Sequence, residues 1–157
     1  MPRYYVRHVA AIKQLDQLLD PKLEEVVSQW RSIHDRQPYE ELPRQTDFVP
    51  VEVILCHGAS MIVDHRRYGS STAESADEPT LLLAQLFRRP PSSVLAKMAN
   101  LDGSRSNGGK FDRAVGSVWS VDPSRFGRAY AVTLLGARRA GFGDSALPDF
   151  LSPGWSA

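Results

Sequence analysis

Two predicted helices meet in the segment Leu82-Leu-Ala-Gln-Leu-Phe-Arg-Arg-Pro-Pro-Ser-Ser-Val-Leu-Ala-Lys97. Its apolar residues recur at helical spacing on both sides of a short break at residues 88–90. Proline is tolerated in the first turn of a helix, but it cannot continue a helix that precedes it. The stretch therefore predicts one helix that ends at Phe87 and another that begins at Pro91 or Ser92.

These two helices are short and adjacent, so they form a corner. A tight crossing needs a small residue where the helices touch and an apolar residue of the second helix packed onto the first. Ala84 and Val94 fit these two positions. We therefore expect a helix-turn-helix-like corner, with an ordinary packed helical hairpin as the alternative.

The rest of the chain also predicts helices. Apolar residues recur at helical spacing before and after Pro21, and further helices are predicted at 111–119 and 124–139. The residues that carry the first two helices are Tyr5, Val9, Ile12 and Leu15, then Leu23, Val26, Val27, Trp30 and Ile33. We expect a mainly α fold, a compact helical bundle.

One apolar segment, Val51 to Asp64, is ambiguous. We interpret it as a buried helix, although its β-branched residues leave a strand as the alternative. Beyond the last predicted helix, residues 141–157 are rich in Gly, Pro and Ser. We therefore expect a single domain over 1–140 and a flexible C-terminal tail over 141–157.

Length and composition restrict the class of protein. A chain of 157 residues, 42% of them hydrophobic, can bury the core of one domain. Cys56 is the single cysteine, and no secretory signal opens the sequence, so we expect a cytoplasmic location. The longest apolar run is shorter than the roughly 20 residues that cross a bilayer, so no membrane partner is expected.

Charge is distributed unevenly along the chain. The formal net charge is +1, but residues 65–139 carry 12 Lys and Arg against 6 Asp and Glu. An excess of this kind is typical of a surface that attracts nucleic-acid phosphates, with a merely solvated face as the alternative. We therefore expect double-stranded DNA as the partner.

The corner and the loop after it supply candidate DNA contacts. In a helix-turn-helix the start of the second helix meets the groove, which indicates Pro91, Ser92, Ser93 and Lys97, while Arg88 and Arg89 reach phosphates. The glycine-rich loop that follows offers hydroxyl, amide and basic groups to phosphate oxygens, from Ser104, Arg105, Ser106, Asn107 and Lys110. A plain flexible connector is the alternative for this loop, which lacks the lysine-serine or lysine-threonine pair of a nucleotide P-loop.

A longer motif overlaps the corner. The segment Arg89-Pro-Pro-Ser-Ser-Val-Leu-Ala-Lys-Met-Ala-Asn-Leu-Asp102 resembles the Arg-Thr-Pro-Ser-Ser-Val-Ala-x-Lys-Leu-x-Asn-Phe segment found upstream of HNH nuclease domains in bacterial restriction proteins. Gly-Gly-Lys-Phe-Asp-Arg-Ala-Val115 is similar to that family's Gly-Ala-Ser-Lys-Leu-Asp stretch. The resemblance covers about residues 64–115 and is to the sulfur-binding domain of modification-dependent restriction enzymes. It implies recognition of DNA whose backbone carries a phosphorothioate.

The resemblance also implies a site. In that family a ring and a small apolar side chain at the start of the helix form a recess for sulfur, and the matching positions are Pro90, Pro91 and Val94. Arginine or histidine from an upstream loop joins it, which indicates His65, Arg66 or Arg67. The full set expected to contact DNA comprises His65, Tyr68, Arg88, Arg89, Ser92, Ser93, Lys97, Asn100, Ser104, Arg105, Ser106, Asn107 and Lys110.

Nuclease chemistry is not expected in this chain. An HNH nuclease needs histidines downstream of the motif, usually with cysteine pairs that hold zinc, but the four histidines all precede it and Cys56 stands alone. We expect no metal or cofactor, a recognition module of a restriction system, and a nuclease domain or subunit as partner. The alternatives are a helix-turn-helix transcriptional regulator that reads unmodified sequence, and a scaffold protein that does not bind DNA.

Overall fold

The computed structural model describes residues 13–105 and 108–156, and the regular structure in these ranges is helical throughout. Residues 13–19 are helical (α1), and the later helices are α2 Leu23–His34, α3 Pro50–Ser60, α4 Thr80–Phe87, α5 Pro91–Leu101, α6 Asp112–Val121 and α7 Pro123–Arg139. Three short 3₁₀ helices lie between them, at Tyr39–Glu41, His65–Arg67 and Ala73–Ser75. The mainly α fold is confirmed, whereas Tyr5, Val9 and Ile12 lie outside the described residues. No helix in these ranges is long and apolar enough to cross a membrane.

The ambiguous apolar segment forms α3, so the helix prediction is confirmed. Every residue from 51 to 59 is buried, as expected for a helix surrounded by other helices. Pro50 occupies the first turn, and the Glu52 carboxylate accepts a hydrogen bond from the backbone N–H of Val49 at 2.9 Å. This bond satisfies one of the amide groups that a helix start leaves without a partner.

Close helix contacts depend on two glycines. Gly136 of α7 lies against Val26 of α2, and Gly116 of α6 lies against the backbone carbonyl of Leu101 at the end of α5. A methyl group at either position would overlap these neighbours. Backbone approach without a side chain is therefore what brings α5 and α6 together, and this contact fixes the end of α5.

An aromatic cluster fills the space between α3, α6 and α7. His57 lies with its ring centroid 5.0 Å from that of Trp119 and 4.8 Å from that of Phe126. Burial in this apolar setting lowers the pKa of His57 to about 4. The imidazole is therefore neutral at physiological pH and acts as part of the core.

The C-terminal segment is packed rather than flexible, so the prediction of a mobile tail is wrong for residues 141–156. Leu147 and Phe150 are buried in the core, and the Tyr130 hydroxyl lies 2.8 Å from Asp149 Oδ1. The Gly, Pro and Ser content indicates irregular backbone, but the side chains of Leu147 and Phe150 anchor that backbone to the core. These residues therefore belong to the single domain.

We predict opposite effects for alanine at two helical glycines. Gly116→Ala places a methyl group on the Leu101 carbonyl and should lower the free energy of unfolding by about 1–3 kcal/mol. Gly127→Ala is the matched control, because a methyl group there meets nothing within 4 Å and alanine favours the helix by about 0.5–1 kcal/mol. Urea unfolding measures both, and equal effects would contradict the packing described for α5 and α6.

We also predict an acid-sensitive contribution from His57. Because folding lowers its pKa from 6.5 to about 4, the fold favours the neutral ring. This stability is complete above about pH 6.5 and is lost as the pH falls toward 4, by up to about 1.4 kcal/mol per pH unit. Unfolding in urea at several pH values should show a shallower slope in this window for His57→Gln than for the unmodified chain. An unchanged slope would show that His57 does not contribute to the loss of stability at acidic pH.

Candidate nucleic-acid interface

The corner between α4 and α5 places the start of α5 at the surface. Arg88 ends α4 in the left-handed conformation, with φ of 56°, and the Arg89 N–H then bonds to the Ala84 carbonyl at 2.9 Å. Pro90 precedes α5, which Pro91 begins. The connection between α4 and α5 therefore consists of the three residues 88–90, which is the break that the sequence predicts.

A cavity of about 580 Å³ lies beside the first two turns of α5. Three separate parts of the chain surround it: the segment 65–70, one face of α5, and the loop after α5. Its lining residues are His65, Arg66, Tyr68, Gly69, Ser70, Ser92, Ser93, Leu95, Ala96, Ala99, Ser104 and Arg105. Six of these belong to the set predicted to contact DNA, and a seventh, Arg66, is a candidate for the predicted sulfur recess. These seven residues are up to 40 positions apart in the sequence.

The cavity combines an apolar part with a polar and basic part. Leu95, Ala96 and Ala99 line it from α5, and with Ser92 they follow the three-to-four-residue spacing of one helix face. Hydroxyl and basic side chains line the rest, from Ser92, Ser93, Tyr68, Ser70, Ser104, His65, Arg66 and Arg105. Such a site can hold an anionic group and shield one of its atoms from water.

Two exposed arginines supply the positive charge of this cavity. Arg66 is 74% exposed at its side chain, and its Nη2 lies 3.9 Å from Asp102 Oδ2, a separation at which an exposed ion pair contributes little. Arg105 is also exposed, and its backbone N–H bonds to the Ala99 carbonyl at 3.1 Å, which holds the loop against α5. Both guanidinium groups can therefore turn toward a bound anion.

Asp102 connects two sides of the cavity. Its Oδ2 lies 2.5 Å from His65 Nε2, and its Oδ1 accepts hydrogen bonds from the backbone and side chain of Ser104, at 2.8 and 2.5 Å. Burial raises the pKa of Asp102, but the hydrogen bonds from Ser104 and His65 outweigh burial and hold the pKa below its usual value. The carboxylate is therefore ionised at neutral pH.

Arg89 is not a phosphate contact, which corrects the prediction. It is buried, with its Nε 2.5 Å from Glu52 Oε2, and it also donates to the carbonyls of Thr46 and Asp47. Burial raises the pKa of Glu52, but the hydrogen bonds from Arg36 and Arg89 outweigh burial and hold the pKa below its usual value. A fully buried carboxylate in the first turn of α3 needs cations beside it, and Arg89 is one of them.

Lys97 and Val94 are also corrected. The Lys97 ammonium is buried, lies 2.7 Å from Asp112 Oδ2 and covers the Phe48 ring at 4.5 Å, so it is not exposed as the predicted groove contact would be. Val94 has no exposed surface, because it faces the core at the crossing with α4, and the sulfur recess predicted around it is wrong. Pro90 and Pro91 are half-buried and are not among the residues that line the cavity.

Four further predicted contacts lie away from the cavity. Arg88 is exposed but lines a different groove with Phe142, and its guanidinium donates to the Arg36 carbonyl. Arg67 pairs with Asp77 at 3.6 Å. Lys110 is exposed beside Phe111, and half-buried Asn100 packs against Gly108. Ser106 and Asn107 lie outside the described residues.

The sequence prediction missed the apolar part of the cavity. The sequence motif indicates a site around Pro91 and Val94, and it therefore does not include Leu95, Ala96 and Ala99. A signal was present, since Ser92, Ala96 and Ala99 are small residues on one face of the predicted helix. A stripe of small residues beside a basic segment indicates where a ligand can approach a helix closely.

No protein-family model, curated protein or solved structure matches this chain. Similarity to known proteins therefore does not indicate a function for this chain. Within residues 13–105 and 108–156, no group of three or more His, Cys, Asp and Glu side chains is placed to hold a metal ion.

We predict that Glu52 is essential for stability. Glu52→Gln removes the charge that Arg36 and Arg89 share and leaves buried Arg89 without a carboxylate, which should cost about 3–5 kcal/mol of unfolding free energy. The control is Glu41→Gln, an exposed carboxylate whose loss should change stability by less than about 0.5 kcal/mol. Urea unfolding measures the loss of unfolding free energy in both variants. Small and similar losses would contradict a structural role for Arg89.

Proposed function

We propose that this chain binds duplex DNA at the cavity beside α5 and recognises a phosphorothioate in the DNA backbone. The observation that carries the proposal is that the cavity joins an apolar helix face to basic and hydroxyl side chains from three separate segments. A backbone phosphorothioate has the matching chemistry, with a negative charge, oxygen acceptors and one sulfur atom.

The apolar part of the cavity accounts for selection of sulfur over oxygen. A sulfur atom is larger and less strongly hydrated than a phosphate oxygen, so moving it against Leu95, Ala96 and Ala99 loses less hydration energy. The alanines also leave room for the larger atom, since each side chain ends at a methyl group. Selectivity in this proposal comes from α5 rather than from the arginines.

The basic and hydroxyl groups account for binding to the backbone. Arg66 and Arg105 are exposed, line the cavity from two different segments and would pair with phosphates next to the modified one. Ser92 and Ser93 lie in the first turn of α5, where hydroxyls and helix amides together favour an anion. These contacts carry no base information, so they supply affinity for any duplex.

The same proposal assigns the chain a role as recognition module of a restriction system. Under it, strand cleavage belongs to a nuclease domain or subunit that acts with this module. The module would then determine which DNA is cut through the selectivity of the α5 face.

A second candidate is a transcriptional regulator that reads bases in unmodified DNA. The three-residue turn between α4 and α5 favours it, because such corners can place the second helix in the major groove. It predicts selectivity for base sequence and indifference to sulfur. Burial of Lys97 and Arg89 removes two of the long polar side chains that would read bases or anchor that helix.

We predict that the chain binds a phosphorothioate duplex at least about tenfold more tightly than the same duplex with ordinary phosphates, a difference of about 1.4 kcal/mol. Ala96→Asn places an amide in the apolar part of the cavity and should bring this ratio close to one. Ala131→Asn, at an exposed alanine of α7, is the matched control and should leave the ratio unchanged. Fluorescence polarisation with the paired duplexes measures these affinities.

The contrasting variant in the same assay is Arg105→Ala. It should weaken binding to both duplexes while preserving their ratio, and it should reduce the slope of log affinity against log salt by about 1. Arg128→Ala, at an exposed arginine of α7, is its control. Equal affinity of the unmodified chain for both duplexes would reject sulfur recognition, and the absence of salt-dependent binding would reject DNA binding altogether.

A further inference from the structure

A negative charge lies at the edge of the positive cavity, and charge alone does not explain it. Asp102 follows the last residue of α5, and its side chain is 35% exposed. A carboxylate this close to a phosphate-binding cavity repels the negatively charged phosphate. The contacts of the Asp102 carboxylate indicate a different role, which is to hold other residues in place.

The two Asp102 oxygens hold two different segments. Oδ2 lies 2.5 Å from His65 Nε2, whose side chain is only 10% exposed, and Oδ1 accepts both hydrogen bonds from Ser104. His65 and Ser104 both line the cavity and come from opposite sides of α5 in the sequence. One side chain thus fixes the separation of two walls of the cavity.

The same contact sets the proton arrangement of His65. An ionised carboxylate can only accept hydrogen bonds, so the nitrogen beside it, Nε2, must carry a proton. Asp102 therefore fixes both the orientation of the ring and the position of one of its protons, as carboxylates do for histidines elsewhere.

We propose that Asp102 is a positioning residue of the DNA-binding site: it holds His65 and the Ser104–Arg105 turn in the arrangement that receives a backbone phosphate. This inference rests on the proposed function. It makes a prediction opposite in sign to that of simple electrostatics, because removal of a repelling charge should weaken binding rather than strengthen it.

The test compares Asp102→Ala with Asp77→Ala on the phosphorothioate duplex by fluorescence polarisation at fixed salt. Asp102→Ala should bind about tenfold more weakly, because His65 and Ser104 both lose the carboxylate that holds them. Asp77 is also an exposed carboxylate beside an arginine of the 65–70 segment, but its side chain pairs with Arg67, which does not line the cavity. Its backbone N–H donates to the Tyr68 hydroxyl, and alanine keeps that bond, so Asp77→Ala should bind equally or more tightly. Asp102→Asn, which keeps the size of the side chain, should also be weaker than the unmodified chain.

A spectroscopic readout separates positioning from general stability. In ¹H–¹⁵N correlation spectra of the imidazoles, Asp102→Ala should shift the His65 Nε2 signal and leave that of buried His57 in place. If the unmodified chain binds and both Asp102 variants bind as tightly or more tightly, or the His65 signal does not move, the positioning role is wrong while the proposed function stands. If the unmodified chain binds no duplex, the proposed function itself fails.

Discussion

Burial of one face of α5 is the constraint on which the rest of the site depends. The helix packs against α3, α4 and α6, and Val94, Met98 and Leu101 face this core. The glycine at position 116 allows α6 to approach the end of the helix. Once those residues are inside, the face with Ser92, Ala96 and Ala99 is left beside the 65–70 segment. The cavity is the outer side of a helix whose inner side is fixed by packing.

Buried charge determines which basic residues remain outside. Arg89 pairs with Glu52, and Lys97 pairs with Asp112, so neither contributes a free positive charge to the surface. These pairs are structural because removal of either partner would leave an uncompensated charge in the core. The basic character of residues 65–139 is therefore concentrated in exposed side chains such as Arg66 and Arg105.

Helix positions could be predicted from the sequence because they depend on local signals. The predicted helix end at Phe87 is the end of α4, and the predicted start at Pro91 or Ser92 is the start of α5 at Pro91, because prolines mark this position. The burial of neighbouring residues could not be predicted in the same way. Arg88 and Arg89 are adjacent and equally basic, and their different fates depend on Glu52, which lies about 37 positions earlier in α3.

The candidate site shows the same division between local and distant information. Its segments could be found from charge, hydroxyl content and resemblance, and the structure brings His65, Arg66, Ser92, Ser93 and Arg105 to one cavity. The face of α5 that lines it could not be chosen, because that depends on which side α3 and α6 cover. The prediction of a flexible tail over 141–156 is wrong for a related reason, because composition does not reveal the core contacts of Leu147 and Phe150.

Chemical-shift mapping with a short phosphorothioate duplex shows whether the exposed face of α5 contacts sulfur. If it does, the methyl signals of Ala96 and Ala99 and the amide signals of Ser92 and Ser93 should move most, and they should move less with the oxygen duplex. Shifts confined to the other groove, which Arg88 and Phe142 line, would contradict binding at the α5 face. Identical shifts with both duplexes would contradict recognition of sulfur.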